Sequence, residues 1–221
     1  MLQRKIEYPV PVDALSVDGR PLNLCAPTPI VEAAEPMLSR GSRIVDLGAG
    51  RGANGLFLAM HGHEVISVES SRTTVEEGQR ISRSLGSSVM SHIFVRADMC
   101  ELDLESEFGR LDAVLAMRSL QQVSKPQAQR MVDAMQAATN PGGMNAVLAY
   151  IARPDQQAAM PHRAFFEPGQ LEADYEQARW DVAMNRSQLH ELDDVDGRPF
   201  CRSTVELIAI KPTEFTPGIS L

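Results

Sequence analysis

Residues 43 to 52 read Arg-Ile-Val-Asp-Leu-Gly-Ala-Gly-Arg-Gly. A short apolar strand runs into Asp46 and then into glycines at every second position: Gly48, Gly50 and Gly52. A loop of this kind, closing a strand and opening a helix, brings backbone N–H groups close to a ligand. Two further carboxylates fall where the same ligand would lie. Glu69 ends a second apolar strand, 17 residues after Gly52, where a carboxylate can accept both hydroxyls of a ribose. Asp98 follows a third strand in Val95-Arg96-Ala97-Asp98-Met99. There it could accept from an adenine amino group while Met99 packs on the ring. Asn54 and Ser70 stand beside these groups, and Met117 ends a fourth strand.

The glycines alone are ambiguous, because Gly48-Ala49-Gly50-Arg51-Gly52-Ala53 also satisfies a dinucleotide fingerprint. The acidic residues separate the readings. Asp46 lies two residues before the first glycine, where a pyrophosphate gains nothing from a carboxylate. It could engage the ammonium group of S-adenosylmethionine, directly or through the loop. Three acidic strand ends around one glycine loop suit a cationic amino-acid nucleoside better than a doubly anionic pyrophosphate. Glu69 by itself does not discriminate, since nicotinamide dinucleotide proteins use the same device.

Beyond the cofactor, two residues could act on an acceptor. His190 is of the residue type suited to taking a proton from an O–H or N–H near neutral pH. Arg118, just after the fourth strand, could bind an anionic group in a bidentate manner. Phe166, with Phe165, Tyr150 and Trp180, could wall an apolar pocket, and Arg163 beside His162 falls in a loop after the fifth strand. His61 and His63 flank Gly62 with no further ligands nearby, so no metal site is expected.

The elements that must position these groups are readable from hydrophobic spacing. Helical spacing covers 29–39, with Ile30, Ala33, Ala34, Met37 and Leu38 on one side and Pro36 weakening it. Strands are predicted at 43–47, 65–68, 89–95, 111–117 and 146–151, separated by helices near 53–61, from Thr73, and from Ser124. Thr73 with Glu76 and Ser124 with Gln127 fit capping boxes. Asn140-Pro141-Gly142-Gly143 breaks the last of these helices. A helix near 168–178 precedes a long hairpin, about 180–190 and 201–210, turning at Asp196-Gly197. Alternating strands and helices predict a Rossmann-like α/β fold. Its sheet would be seven-stranded and mostly parallel, with helices on both faces and an antiparallel C-terminal hairpin strand. Residues 1–26 are Pro-rich and read as an extension or lid, 27–211 as the catalytic domain, and 212–221 as a loose tail.

The chain has 221 residues, 43% of them hydrophobic, and a net charge of −8. The acidic balance argues against a nucleic-acid partner. No run of 18 apolar residues suggests a membrane span, and the N-terminal stretch lacks the apolar core of a secretory signal. The three cysteines are far apart and read as reduced thiols of a cytoplasmic protein. A monomer or homodimer with a small-molecule substrate is expected.

These motifs resemble the class I S-adenosylmethionine-dependent methyltransferases over about residues 27 to 210. Asp46 to Gly52 is similar to that family's first motif, Glu69 to the acidic end of its second strand, Ala97-Asp98-Met99 to its third motif, and Asn140 to Gly143 to the turn before its fifth strand. Within it, the chain most resembles the tellurite-resistance methyltransferases. Gly50 to Ala59, Gly62-His63-Glu64-Val65, Ala164 to Leu171, and Gln188-Leu189-His190 with Gly197-Arg198 carry that likeness. The resemblance implies S-adenosylmethionine as cofactor, and His190 and Arg198 facing the substrate. The chain departs from the pattern at Ala53 and Glu191, where arginines are usual, at Gln121-Gln122, and at Arg118. The acceptor is therefore left open between a polar or heteroaromatic molecule methylated on N, O or S and a tellurite-type oxyanion. A non-catalytic cofactor-binding module and an NAD-dependent oxidoreductase are the alternatives.

Overall fold

The structure, a computed structural model, describes residues 16–17, 20–21, 24–86, 91–153, 157, 161–193 and 199–213. Seven strands form one sheet: β1 (Arg43–Leu47), β2 (Glu64–Glu69), β3 (His92–Arg96), β4 (Leu111–Met117), β5 (Thr139–Tyr150), β6 (Asp181–Asp193) and β7 (Pro199–Ile210). Their order across the sheet is β3-β2-β1-β4-β5-β7-β6. The first five run parallel, and β7 lies antiparallel between β5 and β6. The order reverses between β1 and β4, which is where an open α/β sheet leaves a crevice beyond its carboxyl ends.

Both faces of the sheet are covered. Val45, Leu47, Val114, Ala116, Val147 and Ala149 point to one face and pack with α5 (Lys125–Ala138) and α6 (Gln170–Gln177). Ile44, Leu115, Met117, Ala146 and Leu148 point to the other and pack with α1 (Pro29–Ala34) and α2 (Ala53–Met60). The period-2 alternation thus sorts each strand between two cores. The long amphipathic helix α3 (Arg72–Leu85) lies against β3, and the short α4 (Leu104–Phe108) lies near α5.

Some local expectations are revised. The helix over 29–39 is α-helical only to Ala34 and continues as a 3-10 turn at Glu35–Met37, with Ala33 and Met37 exposed. Pro36 has no N–H to continue the α ladder, which accounts for the change. The N-cap of α3 is Ser71, whose hydroxyl accepts from Thr74 N at 3.4 Å, not Thr73. Glu76 pairs instead with Arg72 at 2.8 Å. Asn140 to Gly143 do not stand apart from the strand that follows: β5 begins at Thr139, and the four residues are absorbed by a register shift against β4. Gln127, by contrast, accepts from both the backbone N (3.1 Å) and the hydroxyl (2.7 Å) of Ser124, and so closes the expected capping box. The predicted hairpin turn at 196–197 and most of 1–26 lie outside the described residues.

Candidate active site

The first half of the glycine loop is held by β2. Gly48 N and Ala49 N donate to the Val68 carbonyl at 2.8 and 3.0 Å. Gly50 N donates to Glu69 Oε2 at 3.1 Å, and Ser71 N to Glu69 Oε1 at 2.9 Å. The Ser70 hydroxyl also donates to Oε1 at 3.3 Å, whereas Oε2 keeps a second lone pair, so the carboxylate can anchor the loop and still accept from a ribose. Gly48 has φ +70°, and a Cβ there would lie 2.5 Å from Ser119 Cβ. Only glycine lets the loop approach the segment after β4 so closely. Gly52 has φ +83°, and a Cβ there would lie 2.4 Å from the Phe94 ring on β3. Gly52 lines neither cavity described below. Its position is explained by close packing of the α2 N-terminus on the sheet, not by ligand contact.

Two cavities lie at the carboxyl ends of β1, β2 and β4. The larger, about 450 Å³, is lined by Gly48, Glu69, Ser70, Asp98, Met99 and Ser119, among others. The smaller, about 230 Å³, is lined by Asn54, Met117, Leu24 and Cys25 together with the loop from Gly48 to Arg51. Gly48 and Arg118 belong to both, so the two halves meet there. The residues expected around a cofactor thus line one cavity or the other, except Gly52 and Asp46, which are set back from the walls. Asp98 also has a structural role, because its Oδ1 accepts from Cys100 N at 2.9 Å and caps the 3-10 turn Met99–Glu101. Asn54 Oδ1 accepts from Thr28 N at 2.8 Å and ties residues 24–28 to α2.

Asp46 is fully buried, and neither carboxylate oxygen has a hydrogen-bond partner among the described residues. Burial first, and the nearby Glu69 charge second, push its pKa up to about 7. Such a group is costly to ionise unless a cation approaches. S-adenosylmethionine carries an ammonium and a sulfonium, and both would favour the carboxylate form. A pyrophosphate would add negative charge above Asp46, Glu69 and Asp98. The residues present therefore fit the cationic cofactor. Asp46 itself lines neither cavity.

Arg118 stands at the junction with φ +55°, a conformation rare for a residue with a Cβ. Its N donates to Leu148 O at 2.8 Å, which ties the kink to β5. Its exposed guanidinium has no ion-pair or hydrogen-bond partner among the described residues. Ser119 follows it, buried on the cavity wall with its hydroxyl unpartnered among the described residues. Ser119, Gln122 and the Leu24–Cys25 segment were not expected here. Only their places, just after strand four and just before the first helix, could have marked them.

The acceptor-side residues are not all brought together. His190 lies on β6, where its Nε2 is 3.0 Å from Thr204 Oγ1 on β7. It lines neither cavity, and three inter-strand steps separate β6 from β4. Along β6 and β7, however, His190 and Thr204 fall on the side of the sheet that Met184 and Ile208 share with Met117 and Leu148. Phe166 is a correction: it is 3% exposed and sits in the core with Ile151, Ala164 and Val205, so packing, not a pocket wall, uses its ring. Phe165 and Trp180 are buried too. Arg163 is exposed on its loop. Arg198 lies outside the described residues.

Comparison with known proteins gives the same answer. Residues 24–203 match the family model of the tellurite resistance protein TehB. The chain is 28% identical over 176 residues to Hemagglutinin 1 of Eikenella corrodens, covering 77% of this chain and 55% of that one. It is 21% identical over 170 residues to a probable S-adenosyl-L-methionine-dependent methyltransferase TehB of Haemophilus influenzae, covering 76% and 57%. The chain spans little more than half the length of the curated relatives it matches. Among solved structures, TehB from Haemophilus influenzae superimposes with a TM-score of 0.74 at 19% identity, over 86% of this chain and 64% of that one. Magnesium protoporphyrin IX methyltransferase from Synechocystis, with bound S-adenosylmethionine, gives 0.58 at 16% identity, over 82% and 74%. No helix among the described residues is long and apolar enough to cross a membrane. The chain belongs to the family of the tellurite resistance protein TehB.

Proposed function

We propose that the chain transfers the methyl group of S-adenosylmethionine to a small molecule. The observation that carries this reading is the meeting of two unlike half-sites at Gly48 and Arg118. On one side lie Glu69 and Asp98, with Asp46 beneath, suited to a cationic nucleoside. At the junction stands an arginine unpaired among the described residues, suited to an anionic or polar acceptor. The cofactor supplies an activated methyl group. The protein's own part is to hold donor and acceptor in line, which can account for as much as ~7–11 kcal/mol of barrier. Glu69 and Asp98 orient the nucleoside, Asp46 balances its positive charge, and Arg118 draws the acceptor towards the methyl end beside Met117. His190 lies further out on the same face, where it would meet only the far end of an extended acceptor.

The acceptor we favour is a polar or heteroaromatic molecule. Through Leu148 and Glu206, Met117 is level with Arg186 on β6, so His190 stands three inter-strand steps, about 14 Å, across the sheet and four residues, about 13 Å, further along it. The face beyond Arg118 carries the Tyr150 ring, with the Arg202 guanidinium 4.9 Å from its centre, and such a face suits a polar or aromatic molecule better than a single oxyanion. A tellurite-type oxyanion held by Arg118 alone is the second reading, favoured by the family match.

Calorimetry tests the cofactor assignment. S-adenosylhomocysteine at a hundred times its Kd should stabilise the fold by about 2.7 kcal/mol, and NAD should give no shift. Stabilisation by NAD alone would overturn the proposal. Binding without turnover of either tellurite or hydroxyaromatic acids would favour a non-catalytic module.

A further inference from the structure

Among the described residues, two that carry a Cβ have a left-handed backbone: Arg118 (φ +55°) and Arg179 (φ +62°). Arg179 follows the end of α6, where that conformation commonly closes a helix. Arg118 closes no helix. It ends β4, and strain of this kind gathers where a ligand is held. The kink turns Ser119, Gln122 and Val123 onto the wall of the larger cavity and leaves Arg118 on the wall of both. The guanidinium is exposed and unpaired among the described residues, although Glu69 and Asp98 line the same cavity. Those carboxylates are engaged by backbone N–H groups instead. A cofactor laid across both cavities has its nucleoside against Glu69 and Asp98 and its amino-acid tail along the glycine loop and Asn54. Its sulfonium then falls where the cavities meet, so whatever Arg118 binds lies against the methyl group. The two described residues shared by both cavities, Gly48 and Arg118, hold no group that takes up a proton near neutral pH.

We infer that the acceptor is a carboxylic acid, methylated on the carboxylate that Arg118 binds, so that the product is a methyl ester. This rests on the reading of the chain as a methyltransferase and names the acceptor class of that same site. A carboxylate has a pKa of about 4 and is already ionised at neutral pH, so the step needs no base. The planar guanidinium fork matches its two oxygens, and each oxygen keeps a further lone pair for attack. The guanidinium on one side and the sulfonium on the other both attract the anion. The step balances without moving a proton. A carboxylate oxygen forms its bond to the methyl carbon, the carbon–sulfur bond breaks, and its electron pair stays on sulfur as a neutral thioether. The ester carries no charge, so Arg118 loses its hold and the product can leave. The body of the acid has a surface to lie on. Tyr150 shares a side of the sheet with Met117 and Leu148, and its ring is flanked by Arg202 at 4.9 Å and Phe165 at 6.2 Å. An apolar or aromatic body fits there, which a bare oxyanion does not have.

Product identity is the direct test. The full chain with S-adenosylmethionine is given benzoate, 4-hydroxybenzoate and tellurite in turn, and the products are read by mass spectrometry and proton NMR. The expected products are methyl benzoate and methyl 4-hydroxybenzoate. Formation of 4-methoxybenzoate, or turnover of tellurite with neither acid, would overturn the inference while leaving methyl transfer itself in place. A second arm needs no turnover. With S-adenosylhomocysteine bound, calorimetry should show benzoate held about 10- to 100-fold more tightly than benzamide, the range for a charge-assisted hydrogen bond. Arg118→Gln should abolish the difference. Equal affinity for the two in the wild type, or binding of neither, would overturn the inference. So would loss of S-adenosylhomocysteine affinity in Arg118→Gln, because the arginine would then belong to the cofactor's own carboxylate. On an acid that is turned over, Arg118→Gln should raise KM more than it lowers kcat, since the charge it binds fades as the ester forms. At saturating S-adenosylmethionine, kcat/KM for the acid should be level from about pH 6 to 9; a rising limb would reveal a base and contradict the ester. Failure of the wild type to bind S-adenosylhomocysteine would instead overturn the methyltransferase reading beneath, before any acid is added.

Discussion

Asp46 concentrates the chemistry of the site in one side chain. Its raised pKa has a definite consequence for stability without cofactor. The folded state holds a proton up to about pH 7, whereas the unfolded chain loses it near pH 4. Stability contributed by this group is therefore present below pH 4 and lost as pH rises towards 7, by an amount on the order of 4 kcal/mol. His92 has the opposite sign. Buried on β3, with Ser67 Oγ 2.8 Å from Nε2 and Ser82 Oγ 3.2 Å from Nδ1, its pKa is lowered by burial to about 4. Its contribution is present above pH 6.5 and lost as pH falls towards 4, by roughly 3 kcal/mol. The two slopes oppose each other in the wild type. In Asp46→Asn the His92 slope should be uncovered, so urea midpoints without cofactor should rise from pH 4 to 6.5; a flat profile in the variant would contradict the assignment. A cationic cofactor should also expel the Asp46 proton. Titration calorimetry at pH 7 in buffers of different ionisation enthalpy should detect release of roughly half a proton per S-adenosylmethionine bound. Affinity in Asp46→Asn should fall at least 10-fold.

The loop between β1 and α2 separates two uses of glycine at the scale of an element. Gly50 has φ +57° with nothing within 4 Å of a Cβ, whereas Gly52 has φ +83° and the Phe94 ring in the way. Gly50→Ala should cost about 1–2 kcal/mol for the left-handed backbone alone. Gly52→Ala adds overpacking of about 1–3 kcal/mol. Urea denaturation should order them accordingly, and equal losses would refute the packing role of Gly52. This division was not legible in the sequence, where both glycines belong to one ligand-binding pattern. The chemistry-bearing strand ends were legible, because Asp46, Glu69 and Asp98 each close an apolar run. So was the capping box of α5, a purely local device. What escaped were features set by distant contacts: the Ser71 cap, where two hydroxyls compete at neighbouring positions; the burial of Phe166, decided by β5 and α6; and Ser119, whose place on the cavity depends on the absent Cβ of Gly48.

Across the whole molecule, the proposed function divides the sheet into a donor half and an acceptor half. The parallel strands β1, β2 and β4 present the glycine loop and the carboxylates, and β5, β7 and β6 carry Tyr150, Arg202, Thr204 and His190. The halves should respond separately to substitution. Glu69→Ala should weaken S-adenosylhomocysteine binding by about 1.5–3 kcal/mol, the worth of a charge-assisted hydrogen bond, and equal affinity would remove Glu69 from the cofactor site. His190→Ala should weaken only extended acceptors while that affinity stays nearly constant; a loss of S-adenosylhomocysteine affinity would contradict the division. The sheet order has a further consequence, for the making of the chain. Among the described strands, β7 follows β6 in sequence yet lies inside the sheet, and β6 touches the rest of it only through β7. During synthesis β5 must wait with an open edge, and β6 with no partner, until Ile210 has emerged. Unpaired edges invite pairing with other chains. A ribosome stalled before β7 is complete should therefore leave a nascent chain that binds chaperones, and release of the final strand should be the step that frees it.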